Sequence, residues 1–393
     1  MVRSILAAGA ACLVFQLAAV ANTAAEHVLY AFKNGNDGAL PISQLIDVGG
    51  VLYGTTEAGG PSHSGTVFAL TSTGAEHVVH AFTGGSDGSL PRAGLINLNG
   101  TLYGTTAYGG GTGCGGAGCG TVFSVTADGT EKIVYAFQGG TDGYQPGAKL
   151  LRVKGRLYGT TTAGGGTGCG GPGCGTVFWV TPQGDEKVIH AFAGGNDGSS
   201  PENAGVIDVG GTFYGTTVNG GGGAGCGGNG CGTVYAVTAG GHESVVYAFS
   251  GGLAFPYGGV IDVGGVLYGT TDSGAFYSMT TAGVENTLHF FDGGSDGSNP
   301  YSGLIDVGGT LYGTTDSGGG SGCNGAGCGT VYAVTTTGAE SVVYAFKGGN
   351  DGIGPQAALI NVKGVLYGTT LGGGGQIDCF AGESCGTVFK VKR

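Results

Sequence analysis

Short runs of alternating apolar and polar residues, five or six long and bounded by glycine, recur along almost the whole chain. The clearest is a Leu/Phe-Tyr-Gly-Thr-Thr run that begins at Leu52, Leu102, Leu157, Phe213, Leu267, Leu311 and Leu366. The copies are 50, 55, 56, 54, 44 and 55 residues apart, and such a period marks one supersecondary unit repeated. In the second copy, Ala93 to Leu98 is a short apolar strand turned by Asn99 and Gly100, and Thr101 to Thr106 returns. A third strand follows at Gly120 to Val125, then an Ala127-Asp128-Gly129 turn and a fourth strand at Glu131 to Phe137. Asn-Gly and Gly-Gly between apolar runs are hairpin signals, because twist-matched two-residue turns need positive φ. No helical period appears after the first 25 residues. Four antiparallel strands per unit, seven times over, predict an all-β fold: a seven-bladed β-propeller of four-stranded antiparallel blades. A β-helix would have shorter coils without hairpin turns, and a sandwich would not repeat so regularly.

The two ends fix the blade count. Glu26 to Phe32 matches fourth strands such as Glu131 to Phe137, while the chain closes with Gly386 to Val391, a third strand with no fourth after it. The N-terminal strand is therefore expected to pair into the last blade and close the ring, which leaves residues 26–393 as one propeller domain. Joining the termini suppresses the fraying expected at chain ends.

Composition changes the picture in three places. The net charge of −12 and the absence of a basic stripe argue against nucleic acid as a partner. Residues 1–25 read as an export signal: Arg3 supplies the positive end, Ile5 to Val20 is apolar, and small residues follow. Cys12 falls inside that removed segment, and no later stretch approaches the length of a membrane span, so the mature chain is expected to be secreted or periplasmic, and a monomer. The other ten cysteines fall in close pairs, each just before a Gly-Thr-Val-aromatic strand: Cys114/Cys119, Cys169/Cys174, Cys226/Cys231, Cys323/Cys328 and Cys379/Cys385. Within-loop disulfides are the simplest pairing; a zinc site needs about four ligands brought together, and neighbouring pairs sit on different repeats. No metal and no cofactor is called for.

The recurring LYGTT…GG…GTVF…GxE…YAF.GG.DG…P pattern resembles the GloVer-type extracellular tandem-repeat family over nearly the entire mature chain. The resemblance implies an exported bacterial propeller and carries no settled activity.

Loops alternate between the ends of an up-and-down blade, so the disulfide loops share a face with a Gly-Gly-x-Asp-Gly-x-x-Pro motif. Its acids are Asp37, Asp87, Asp142, Asp197, Asp296 and Asp351. Turn chemistry accounts for them first, with a ring of cation-binding carboxylates as the functional reading. A glutamate opens every fourth strand (Glu26, Glu76, Glu131, Glu186, Glu243, Glu285, Glu340), expected on the opposite face as turn or edge-guarding residues. Tyr30, Tyr135, Tyr247, Tyr344, His80 and His190 share one slot and read as packed strand residues.

Function should follow the departures from symmetry. In the fifth blade Gly251 to Tyr257 loses the Asp-Gly turn and Ser273-Gly274-Ala275 replaces the disulfide loop, so a notch is expected beside Phe255 and Tyr257. His63 lies in the other cysteine-free loop; Glu202, Asn203 and Asn219 are unusual near blade four, and Asp378 and Glu383 near blade seven. Phe255, Tyr257, Glu202, Asn219 and His63 are the candidate ligand-binding residues. No nucleophile elbow, phosphate loop or zinc-protease motif is present, and no catalytic residue is assigned. The uniform repeats favour a non-catalytic binding or scaffold module for a carbohydrate or another exported protein. The alternatives are a glycoside hydrolase or lyase using symmetry-breaking acids near blades 4 and 5, and a structural surface or matrix protein.

Overall fold

The computed structural model describes residues 25–202, 205–223, 225–375, 379 and 384–393; residues 1–24 of the expected export segment, Asn203, Asp378 and Glu383 lie outside the described residues. Seven antiparallel sheets surround a central channel, and all but the last are built in chain order from the axis outward. Blade 2 shows the plan, with strands at Ile96–Leu98, Thr101–Thr106, Thr121–Thr126 and Glu131–Ala136. Blade 3 adds a short strand, Tyr144–Pro146, against the far end of Arg156–Ala163. The ring closes as the sequence predicts. Glu26–Ala31 pairs antiparallel with Thr387–Lys392, Val28 opposite Phe389 and Ala31 opposite Thr387. The Phe32 N–H then donates to the Gly386 carbonyl at 3.0 Å.

Each motif letter has a packing reason. The aromatic of the third strand projects onto the glycine of the Tyr-Gly-Thr strand beside it. A Cβ added at Gly104 would lie 2.7 Å from Phe123 Cζ and 2.8 Å from Leu95 Cδ2, so only glycine leaves room for the ring. Filling that notch makes the ring available to the neighbouring blade, where the Phe ending the preceding fourth strand meets it edge-on. The pairs Phe32–Phe68, Phe82–Phe123, Phe137–Phe178, Phe192–Tyr235, Phe249–Tyr277, Phe291–Tyr332 and Phe346–Phe389 have centroids 4.7 to 5.3 Å apart. Six of them are edge-to-face, the geometry favoured by the ring quadrupoles, and Phe291–Tyr332 is tilted at 55°. At the end of the same strands, Thr106 and Thr121 hydroxyls bond at 2.8 Å, and the pair recurs at Thr56/Thr66, Thr161/Thr176, Thr217/Thr233, Thr315/Thr330 and Thr370/Thr387. Gly120, at φ +95°, lets Pro146 of the next blade's entry segment close onto it; a Cβ there would sit 2.6 Å from Pro146 Cδ.

Five disulfides form within their loops: Cys114–Cys119, Cys169–Cys174, Cys226–Cys231, Cys323–Cys328 and Cys379–Cys385. Each staples a glycine-rich loop, a contribution on the order of 2 kcal/mol in the chain-entropy account. Among the described residues no helix is long and apolar enough to cross a membrane.

The aromatic notch generates a paired prediction. Gly104→Ala forces its methyl into Phe123 and should destabilise the fold by about 1–3 kcal/mol. The hydroxyls of Tyr235, Tyr277 and Tyr332 are buried without a partner, so changing each to Phe, the residue other blades carry there, should leave the melting temperature level or raise it. Chemical and thermal denaturation of the four variants checks both; a harmless Gly104→Ala would refute the notch.

Candidate functional site

The first strand of each blade and the segment leading into it line the channel. On the disulfide-loop side it opens into a cavity of about 630 Å³, within the range of small-ligand pockets. A second cavity, of about 340 Å³, lies toward the opposite end among Leu45, Asp47, Ile360 and Lys363.

Two repeat slots give the upper mouth its chemistry. The residue after the entry proline differs in every blade but one pair: Ile42, Arg92, Gly147, Glu202, Tyr257, Tyr301 and Gln356, all but Glu202 lining the cavity. The residue following the Gly-Thr-Thr run is acidic only at Glu57, Asp272 and Asp316. Tyr257 and Tyr301 stand next to each other, centroids 5.3 Å apart and planes at 67°. Gln356 donates to Asp316 Oδ1 at 2.9 Å, and the Asn299 amide donates to Asp272 Oδ1 at 2.9 Å. Across the mouth, Arg92 Nη2 pairs with Glu57 Oε1 at 2.7 Å.

Electrostatics follow from this crowding. Burial raises the Asp316 pKa, against the Gln356 hydrogen bond and with the Asp272 charge. Burial, with Asp272 and Asp316 adding to it, pushes the Tyr301 phenol up to about 12. Tyr257 is raised by burial and then by Glu202 and Asp272, while Glu202 is raised by burial with Arg92 pulling the other way. The blades 4 to 6 side of the mouth is thus an aromatic pair beside partly desolvated carboxyls.

Of the residues singled out from sequence, Tyr257 lines the channel and Glu202 lies within its electrostatic reach. Phe255 does not face it. At φ +61° its side chain packs on the blade 4–5 core while its carbonyl takes the Tyr257 and Asp272 N–H groups. Asn219 bridges Ser199 in a backbone ladder that recurs in other blades, and His63 is exposed on its loop at φ +55°. The blade 5 rim is low, since Thr271 to Ala275 closes as a tight turn with Thr271 N–H bonded to Ala275 O at 2.9 Å. Arg92, Lys149, Tyr301, Asp316 and Gln356 were missed, because symmetry breaking was sought in loops while these residues sit in the inner-strand slots. Aligning the seven copies position by position would have exposed them.

The glutamates opening the fourth strands require a correction. All but Glu285 are half-buried neighbours of the turn aspartates on the preceding blade, each with Oε1 buried and unbonded, not edge guards on the far face. The outer strands are twisted enough that the start of one meets the end of its neighbour. Glu76 reaches Tyr30 and Asp37, Glu186 reaches Tyr135 and Asp142, and Glu26 reaches Asp351 across the ring closure. Tyr30 donates to Asp37 Oδ2 at 2.8 Å, and in other blades His80, His190 and His289 take the tyrosine's place 3.3 to 3.5 Å from Asp87, Asp197 and Asp296. His190, Asp197 and Glu243 offer ligand atoms within 4.8 Å of one another. The same slots hold tyrosine elsewhere, so the constellation is first a blade-to-blade clasp. The aspartates also cap their turns, as where Lys347 N–H donates to Asp351 at 2.7 Å.

Residues 8–117 and 108–275 match the family model described as the Gloeobacter/Verrucomicrobia repeat. No curated protein matches the chain. Among solved structures, the computationally designed Ika8 protein is similar at a TM-score of 0.52 and 11% identity, covering 93% of this chain and 99% of its own. BamB from Moraxella catarrhalis gives a TM-score of 0.48 at 12% identity, with 94% and 100% covered. At these identities the Ika8 likeness speaks for the fold alone.

The clasps make stability depend on pH. Burial, then the facing aspartate, raises Glu76, Glu131, Glu186, Glu243 and Glu340 from 4.5 to about 7 and Glu26 to about 8. A raised carboxyl contributes fully below its unfolded pKa and loses that contribution as pH rises through its folded value. His80, lowered by burial, acts in the opposite sense below about 6.5, one group against six. The melting temperature should fall from pH 5 to pH 8, and Glu-to-Gln changes at Glu76, Glu131 and Glu186 should flatten the fall. A melting temperature that climbs over that window would refute the clasp.

Proposed function

The chain belongs to the Gloeobacter/Verrucomicrobia repeat family, and from that premise we propose that it is an exported binding propeller that takes a saccharide at the disulfide-loop mouth of its channel. The observation that carries this reading is the convergence of departures from the repeat on one place. Tyr257, Tyr301, Asp316 and Gln356 all meet at the cavity wall, although they come from three different blades. An aromatic pair supplies the apolar face that a pyranose ring stacks against, and carboxyl and amide groups at its edge bond hydroxyls. The low rim of blade 5 leaves that side open to an extended chain. Export is supported by five disulfides, which persist in oxidising compartments.

A second reading has one observation in its favour. Asp316, its pKa raised by burial, stands within the electrostatic reach of Asp272, and a pair of carboxyls flanking the scissile bond is what glycoside cleavage uses.

Purified protein titrated calorimetrically against a panel of oligosaccharides checks both. At least one member should bind, and Tyr257→Ala and Tyr301→Ala should each weaken it tenfold or more, a loss of about 1.4 kcal/mol. Binding untouched by either change would remove the mouth from the account. Shortened products in the same mixtures, lost in Asp316→Asn, would move the protein to the hydrolase reading.

A further inference from the structure

Three residues beyond the entry proline, the repeat reaches the channel wall at Gln44, Gly94, Lys149, Gly303 and Ala358. The slot holds Gly94, Gly303 and Ala358 in blades 2, 6 and 7, and small residues also in blades 4 and 5. The small residues let the inner strands approach closely: a Cβ on Gly94 would lie 2.9 Å from the Gln44 carbonyl. Blades 1 and 3 break the rule with Gln44 and Lys149. Lys149 Nζ donates to Gln44 Oε1 at 2.6 Å, and Gln44 Nε2 donates to the Leu359 carbonyl of blade 7 at 3.0 Å. The two side chains form a crossbar over the channel, and Lys149 borders both cavities.

Among the described residues this lysine has no counter-charge. Among the described residues none of the ion pairs includes it, and burial alone lowers its pKa, with no carboxylate acting on it. An ammonium held half-buried in the channel without an anion is costly, and the repeat accepts Gly or Ala in the five equivalent slots other than Gln44. The other cation lining this cavity, Arg92, is already tied to Glu57.

We propose that Lys149 is the anion-recognition residue of the channel, binding the single negative charge of an acidic saccharide, a uronate carboxylate or a sulfate ester, with Gln44 holding the ammonium in place. This inference rests on the channel-mouth reading and deepens it. One unpaired cation balances one charge. A phosphate monoester would bring a second negative charge toward Asp316 on the same wall and Glu202 near it, which disfavours it. The sugar ring would then lie upward, toward Tyr257 and Tyr301.

The test compares methyl β-D-glucuronide, D-glucose 6-sulfate and the neutral methyl β-D-glucoside by calorimetry on the intact protein. Wild type should bind at least one of the two anions tenfold or more tightly than the glucoside, and which anion wins identifies the source of the charge. Lys149→Met should erase that preference while leaving neutral binding in place; Gln44→Leu should reduce it several-fold and serves if the lysine variant does not fold. Equal affinity for charged and neutral sugars, a preference that survives Lys149→Met or is unchanged in Gln44→Leu, or no binding of either anion overturns the inference. Neutral binding that still responds to Tyr257→Ala would leave the mouth standing, whereas loss of all saccharide binding would remove both.

Discussion

The structure depends on one contact made seven times: an aromatic ring seated over a glycine of its own blade and struck edge-on by the phenylalanine that ends the preceding blade. Each contact is buried, and each lies inside an apolar cluster that spans two sheets, as where Phe32 and Val388 of blade 7 pack with Leu45, Leu52, Phe68 and Leu70 of blade 1. The ring of contacts closes only because Phe32, from the first described strand, meets Phe68 at 5.1 Å. Without that strand, blade 7 would lack its outer edge and the path of contacts would end in two exposed faces. The periodic glycines, which in isolation favour a loose chain, are therefore the positions that permit the tightest packing.

Around this framework the polar groups divide into two roles. At the periphery, aspartates, glutamates and the Tyr/His slot clasp neighbouring blades wherever the Asp-Gly turn exists. The junction between blades 4 and 5 lacks that aspartate, and there Glu285 takes a hydrogen bond from its own strand neighbour, Thr287, at 2.8 Å. At the axis the repeat is relaxed instead. Entry and inner-strand slots that need no particular side chain for packing carry Arg92, Lys149, Tyr257, Tyr301 and Gln356, and these set the character of the cavity. Symmetry holds where blades touch and breaks where the channel opens.

Much of this was legible from residues alone. Blade number, strand order, closure by Glu26–Ala31 and all five disulfides follow from periodicity and cysteine spacing, because each is a local pattern repeated. Tyr257 was legible as a departure from the repeat. Lys149 was not, since a lysine before an apolar strand looks like any solvated charge until the ring carries it to the axis. The glutamates were misread for a related reason: outer-strand twist, which brings Glu76 to Asp37, has no signature in a linear pattern. What periodicity encodes is the blade; what it omits is which side chains from distant blades share one space.

Amide hydrogen exchange across the closing strand tests the central claim most directly. If Glu26–Ala31 is the outer edge of blade 7, its hydrogen-bonded amides should be protected as strongly as those of the equivalent strand Glu131–Ala136. Exchange at the rate of an unstructured terminus, with Glu131–Ala136 still protected, would contradict the closed ring and the channel built upon it.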